Sequence, residues 1–391
     1  MISGTPYWRL SAVYFGYFAV IGGLSPYWSA YLDNIGFAPH VIGFLAAIPM
    51  ITRLLAPYVW GALADASGQP LRVARLGVFG ALVSFVALLF SQDFWVLMIA
   101  SFVFSFFWNA VLPQFEGLTL SHLGAQRESL YSRIRLWGSV GFIVMVLALG
   151  LLFDRASIDL LPWCLMVGLG TVALAICLLP PVPRPTQIIR GGGNLWAVLR
   201  KPTVAGFFVA VFLLQISHGV YYGFFTLHLQ DNGYSRTVIS ALWSVGVVAE
   251  IVLFIYVPRI FARWGLKHCL LLCFAIASIR WLVIGLVPNS VLLLVLVQLG
   301  HAFTFGLVHA VAMTLVRTYF GESLQGRGQA LYSAVGFGAG AAVGTYMAGW
   351  LWHWGGSVTF VVAALIAALA FAVALVSMPS VPCRAEAQCN A

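Results

Sequence analysis

Charge is what this sequence has least of. Only 8% of its 391 residues are Asp, Glu, Lys or Arg, and 11 are acids. A soluble domain carries about 25% charged residues, so this chain cannot coat a water-facing globule. Hydrophobic residues make up 62% of it, which leaves no room for a large soluble domain. Cysteine is scarce as well. Cys164, Cys177, Cys269, Cys273, Cys383 and Cys389 form no CxxC pairs, which argues against a zinc-finger type of site. Most lie within or beside apolar runs and are expected to be free thiols. Alternating segments of about ten residues, the mark of a membrane barrel, are also missing. Runs such as Val358–Val376 are apolar all round. The formal charge of +9 would suit nucleic acid, yet the basic residues are spread among short gaps and build no basic face.

What is present is a succession of apolar runs long enough to cross a bilayer, which takes roughly 20 residues. They fall near 10–32, 40–64, 73–91, 94–120, 131–153, 159–180, 204–229, 236–262, 268–287, 290–318, 327–350 and 354–378. Unpaired backbone groups are intolerable in lipid, so these spans must be helices. Met1–Arg9 holds one basic residue and no cleavage pattern, so the first span reads as retained. Basic residues collect in every second gap: Arg9, Arg72, Arg75, Arg127, Arg133, Arg184, Arg190, Arg200, Lys201, Arg259, Arg263, Lys267, Arg317, Arg327 and Arg384. The alternate gaps hold Arg155 and Arg236. The positive-inside rule then puts both termini and the Pro180–Pro202 loop in the cytoplasm. That loop is rich in proline and glycine, and Asn194–Lys201 within it could form a short interfacial helix.

The two halves echo each other. A shift of 197 residues lays Leu32, Gly36, Val41, Ile42, Leu45 and Gly68 on Leu229, Gly233, Val238, Ile239, Leu242 and Gly265. A shift of 195 lays Thr119, Leu136, Val140 and Gly141 on Thr314, Leu331, Val335 and Gly336. The expected fold is an all-α membrane protein of twelve transmembrane helices in two six-helix pseudo-symmetric bundles. The bundles would be residues 1–182 and 203–391, joined by a cytoplasmic linker over 183–202. Parallel repeats of this kind suit a site that opens alternately to either side.

Charges near mid-helix are costly in lipid and usually face a cavity or a partner. Arg53, Glu116, Arg135, Glu250 and Arg280 are such charges, and His218, His301 and His309 join them. Glu116 and Arg135 lie about 6–8 Å inside the same face of adjacent helices, so a pair is plausible, either as a helix lock or as a substrate contact. Arg53 and Glu250 occupy equivalent repeat positions with opposite charge. His301 and His309 are eight residues apart, about 80° round one helix, and imidazole can carry a proton near neutrality. No third ligand accompanies them, so neither a metal nor a cofactor is expected. Gly336, Gly340 and Gly344, like Gly138 and Gly141, read as close-packing helix faces. The stretch Gly61–Arg72, with Asp65 and Gly68, could act as a breakable ionic latch at a loop.

Gly61-Ala-Leu-Ala-Asp65-Ala-Ser-Gly68-Gln-Pro-Leu-Arg72 resembles the helix 2–3 signature of the major facilitator superfamily, and Arg259–Lys267 resembles its second copy. Leu55-Ala-Pro57, Tyr131-Ser-Arg133-Ile-Arg135, Ser278-Ile-Arg280 and His301-Ala-Phe-Thr304 are similar to the branch holding lactose permease and the phenylpropionic acid permeases. The resemblance covers nearly the whole chain. It implies that Glu116 and Arg135 match sugar-binding positions of lactose permease, and that Arg280 and His301 match its helix 9 arginine and helix 10 histidine. Thr304 stands where that permease has its proton-carrying glutamate, so Glu250 or a histidine would carry the proton here.

The combined expectation is a multi-pass permease of the inner membrane, a monomer, that symports protons with a small organic solute. Tyr14, Tyr17, Tyr27 and Trp28, with Gln215, His218, Tyr221 and Tyr222, would line its cavity beside the charged set. Aromatic rings beside arginines suit an aromatic carboxylate such as 3-phenylpropionate. A sugar or nucleoside symporter and an exporter of amphipathic compounds are the alternatives. No loop carries a catalytic constellation, so an enzyme is not expected.

Overall fold

The structure is a computed structural model. It describes residues 6–124, 127–181 and 193–378. The first six spans run Tyr7–Asn34, Pro39–Ser67, Pro70–Phe90, Phe94–Leu123, Arg127–Phe153 and Ile158–Cys177. Their starts follow local chemistry. Pro39 and Pro70 sit in the first turn, where a missing N–H costs nothing. The Asp93 carboxylate accepts hydrogen bonds from the backbone N–H groups of Trp95 (2.9 Å) and Val96 (3.2 Å), capping span 4.

The second half begins with span 7, Pro202–Asp231, and ends with span 12, Gly356–Ser377. Between them lie helical stretches of 51 residues, Arg236–Leu286, and 64 residues, Val291–Trp354. Fifty-one residues would reach about 75 Å, more than twice the hydrocarbon core. Each stretch is broken by a glycine outside the helical region: Gly265 (φ 69, ψ 159) and Gly321 (φ 60, ψ −177). The loops expected between spans 8 and 9, and between 10 and 11, are therefore elbows at single glycines. Nine stretches among the described residues are long and apolar enough to cross a membrane. Dividing the two long ones at their glycines and counting Tyr7–Asn34 brings the helical spans to twelve.

The internal repeat is structural. Among the described residues, six of the seven glycines with positive φ form pairs 197 residues apart: Gly36 with Gly233, Gly68 with Gly265, and Gly124 with Gly321. The first pair repeats its hydrogen bonds too. Phe37 N–H donates to Leu32 O (3.2 Å), and Tyr234 N–H donates to Leu229 O (3.1 Å). The small-residue faces repeat as well. A Cβ on Gly22 would stand 2.7 Å from Phe142 O, and one on Gly141 would strike Phe15 O, so spans 1 and 5 meet backbone to backbone. A Cβ on Gly340 would stand 2.8 Å from Phe212 O, and one on Gly344 would strike Ile216 O, so spans 7 and 11 do the same. The ends of the sixth span of each half are covered by a cation, which suits the negative end of a helix. Arg75 donates to Cys177 O and Leu179 O (both 3.1 Å), and Lys267 donates to Leu375 O (3.2 Å) and Met378 O.

Large apolar side chains such as Val376 (87% exposed) and Phe90 (74%) face outward, as a lipid-immersed helix requires. Cys164, Cys177, Cys269 and Cys273 are free thiols. The short helix anticipated before span 7 is Leu195–Leu199, capped by Asn194, whose side chain accepts from Ala197 N–H (3.2 Å). Residues 183–192 of the expected linker, and both chain ends, lie outside the described residues.

By its contacts the chain divides into Met1–Ile188 with Phe225–Ala241, and Ile189–Phe224 with Leu242–Ala391. Residues 225–241 thus group with the first unit, although they belong to the second sequence half. One reason is a polar clasp. The Asp154 carboxylate accepts hydrogen bonds from the backbone N–H groups of Arg236 (2.7 Å) and Thr237 (3.0 Å), and Arg236 Nη1 donates to Phe153 O (2.7 Å). An acid at the start of span 8 also meets the positive end of that helix. Slight burial pushes the Asp154 carboxyl up, but hydrogen bonds from Thr237, Arg236 and Ser235 outweigh it and hold the group below its ordinary 3.8. A carboxyl depressed by folding stabilises above that value and loses its contribution as pH falls through the lowered one. Melting curves of wild type and Asp154→Asn should therefore differ most at neutral pH, with the wild type the more stable. The difference should close below about pH 4. A gap independent of pH would mean that the charge contributes nothing.

Candidate functional site

In the first unit, spans 1, 2, 4 and 5 gather an aromatic and charged cluster. Tyr17 is buried and stacks on Trp108, ring centroids 4.4 Å apart and 7° from parallel. Arg53, Glu116 and Arg135 all act electrostatically on Tyr17, so the three intramembrane charges of this half lie in its neighbourhood. The Glu116 carboxylate is tied to the Tyr131 hydroxyl and feels Arg135 without a direct ion pair. Arg135 instead lays its guanidinium over Phe18 at 4.0 Å and beside Tyr14 at 5.8 Å. Depth counting along the helices therefore placed Glu116 and Arg135 in one cluster, while a neighbouring aromatic face captures the arginine. Tyr14 packs edge-on against Phe115 (4.7 Å). Trp28 stacks on Tyr31 (5.5 Å), and the Tyr27 hydroxyl donates to Val146 O (3.0 Å). The buried Trp108 Nε1–H has no acceptor. Trp108 and Tyr131 were not singled out in the sequence, where aromatic residues are too common to mark a site.

Gly68 ends span 2 in the left-handed region, its N–H bonded to Ala64 O (2.9 Å), and Pro70 opens span 3 directly after it. Asp65, one helical turn beyond Gly61, is exposed, as are Gly68 and Arg72 at this turn.

The second unit holds a tighter network, built on Arg280, which is 1% exposed. Its Nε donates to Val297 O (2.8 Å), Nη1 to Thr304 Oγ1 (2.5 Å) and Nη2 to Gln298 Oε1 (3.0 Å). Its guanidinium also lies 4.6 Å from the Trp281 ring and 5.3 Å from the Tyr221 ring. Gln298 passes the network on, donating from Nε2 to the Tyr221 hydroxyl (2.9 Å) and to Leu242 O (3.1 Å). Trp281 Nε1 donates to Ser217 Oγ (3.1 Å), and His218 packs edge-on against Trp281 (5.1 Å). Two buried polar atoms without partners adjoin this network, His218 Nε2 and His301 Nδ1, and a third, Gln215 Oε1, lies on span 7 near Gly336 and Gly340. Glu250 reaches His301, Oε2 to Nε2, at 3.9 Å. Glycines make these approaches possible. A Cβ on Gly300 would stand 2.9 Å from Arg280 Cδ, one on Gly306 2.9 Å from Glu250 Cγ, and one on Gly246 3.1 Å from His301 Cβ.

His309 contacts a different set of rings. It packs against Tyr332 (5.8 Å) and Phe337 (6.1 Å), whereas His301 stacks on Phe305 (5.3 Å). Residues Ala302–Leu307 between the two histidines form a π-helical turn. That wider turn breaks the 3.6-residue spacing on which the expected common face rested, and such turns concentrate at functional sites. Tyr222 packs against Trp243 (6.0 Å) and Phe305 (6.4 Å) at the edge of the same cluster. An open groove between Trp8, Phe15, Trp137 and Leu178 is almost wholly apolar and holds none of these residues.

Twelve helical spans, an internal repeat and a polar cluster inside each half define a multi-pass membrane transporter. The chain belongs to the MFS_1 like family, which it matches over residues 7–363. It is 31% identical over 373 residues to the "Probable 3-phenylpropionic acid transporter" of Escherichia coli K12, covering 92% of this chain and 94% of that one. It is 27% identical over 344 residues to the maltose permease of Geobacillus stearothermophilus, covering 86% of each. Among solved structures, a point mutant of the nucleoside transporter NupG shares its fold with a TM-score of 0.86 at 16% identity, over 95% of this chain and all of that one. These relatives are transporters, and this chain is one.

Proposed function

We propose that this transporter is a proton-coupled symporter of a small aromatic carboxylate, of which 3-phenylpropionate is the type. The observation that carries the reading is the state of Arg280. It is a buried guanidinium whose hydrogen-bond acceptors are all neutral, flanked by the Trp281 and Tyr221 faces. Three of its N–H groups are committed to Val297, Thr304 and Gln298. A guanidinium has five, so each terminal nitrogen has one more to give, the pair that a carboxylate accepts in bidentate fashion. The Tyr221 hydroxyl also lies against the guanidinium, and a carboxylate outcompetes such a neutral acceptor. The adjacent aromatic faces suit the ring of the same solute. Glu250 and His301 supply titratable groups next to that point. The relative named for 3-phenylpropionic acid supports the same class. The maltose permease keeps a sugar symporter as the second reading, favoured by the polar amide of Gln298 in the same cluster. In this proposal the chain sits in the inner membrane as a monomer of two six-helix bundles, with both termini and the 183–202 linker cytoplasmic.

A ligand that binds the folded state raises its apparent stability by mass action, by about 2.7 kcal/mol at a hundred times its Kd. Thermal melts of the purified protein should rise with 3-phenylpropionate and stay level with maltose and xanthosine. A rise with maltose or xanthosine alone would replace this reading with the sugar or nucleoside one.

A further inference from the structure

Gln298 is fully buried within Val291–Leu299, the helical segment that leads into the π turn. Its side chain ties Arg280 of span 9 to Tyr221 of span 7 and to the backbone of span 8. Its amide can be oriented in only one way. Arginine has no acceptor, so the carbonyl oxygen must face Arg280, and the NH2 group must then meet Tyr221 and Leu242. The amide therefore has all its strong contacts inside the protein, and it fixes the guanidinium without neutralising it.

The chemical type at this position decides what the guanidinium can do next. A carboxylate here would form a buried, hydrogen-bonded ion pair with Arg280 and cancel its charge. An apolar side chain would leave the charge but release the fork. An amide alone holds the fork still and keeps its positive charge available. We propose that Gln298 is a positioning and specificity-determining residue, which holds Arg280 as an uncompensated cation and thereby sets a preference for anionic over neutral aromatic solutes. The inference rests on the reading of this cluster as an anion site. Gly300 supports it from the other side, since its missing side chain leaves the slot in which Arg280 Cδ lies.

The test uses the full-length protein in detergent and two probes of the same shape and different charge, 3-phenylpropionate and 3-phenylpropanol. Wild type should bind the acid and bind the alcohol at least about tenfold more weakly, the counterpart of 1.4 kcal/mol. Gln298→Glu should lose that preference, because its carboxylate cancels the positive charge that the acid would meet. Gln298→Leu should keep the preference for the acid, because the charge remains, while its maximal transport rate falls because one of the three contacts that hold the fork is lost. A merely structural role would weaken both probes alike in both variants. If Gln298→Glu does not fold, Gln298→Leu decides, and loss of its acid preference overturns the proposal. If wild type prefers the acid and Gln298→Glu prefers it equally, the proposal is wrong while the anion reading stands. If wild type binds neither probe, or prefers the alcohol, the anion reading fails and takes this inference with it.

Discussion

The Glu250→Gln protein should bind solute and exchange it across a membrane, yet respond to no pH gradient. Glu250 touches His301 at 3.9 Å beside the π turn, and Gly306 leaves the room for its side chain. Glutamine has nearly the same shape as a protonated glutamate, so it should reproduce the proton-loaded state permanently. Exchange of labelled for unlabelled solute needs no net proton release and should persist near the wild-type rate. Acceleration of net uptake by an inside-alkaline gradient should vanish, with the protein-dependent rate falling to that of empty vesicles. His301→Gln is the companion variant. It should lower the gradient-driven rate and leave some of it, if the imidazole assists and the carboxylate carries. Gradient-driven uptake by Glu250→Gln at the wild-type rate would show that another group carries the proton, with His301 or Glu116 next to be examined.

A second large effect is expected far from any charge. Gly344 meets the Ile216 backbone so closely that a single added methyl would overlap its carbonyl. Neither partner is a flexible side-chain end, so spans 7 and 11 would have to separate. Overpacking of this kind costs about 1–3 kcal/mol or more. Gly344→Ala should lower the melting temperature and the yield of monodisperse protein sharply. Gly141→Ala should do the same at the equivalent contact with Phe15 in the first half. Gly170→Ala is the control, because nothing lies within 4 Å of its would-be Cβ. It should be neutral or stabilising, since alanine is the better helix former by about 1 kcal/mol. Equal melting of the Gly344 and Gly170 variants would refute the backbone-to-backbone packing.

Much of this was readable in the sequence, for reasons that can be named. Apolar runs identify the spans because lipid leaves the backbone no alternative to a helix. The glycine matches 197 residues apart identify the repeat because each occupies a positive φ, where other residues are strained. Mid-helix charges point to the clusters because lipid makes unpaired charge expensive. Other features were hidden. The π turn at Ala302–Leu307 leaves no mark in composition, so the phase between His301 and His309 could not be counted. Gln298 lies in an apolar run, and an uncharged amide there lacks the cost in lipid that marks an ionisable group. Arg135 pairs with the face of Phe18, and an aromatic partner among 29 phenylalanines gives no sequence signal. The clasp of Asp154 on the backbone of Arg236 and Thr237 involves no side-chain partner that a charge pattern could reveal.

In the proposed symport the chain moves an aromatic carboxylate together with protons. The most direct measurement is initial uptake of labelled 3-phenylpropionate into proteoliposomes of the wild-type protein, after subtracting entry of the undissociated acid into protein-free vesicles. One pH unit is worth 1.36 kcal/mol, or about tenfold in an equilibrium, which is ample to detect coupling. Symport predicts a saturable, protein-dependent rate that rises when the inside is made alkaline and falls back when a protonophore is added. A saturable rate indifferent to the gradient and to the protonophore would contradict coupling, and no protein-dependent uptake at all would contradict the substrate class.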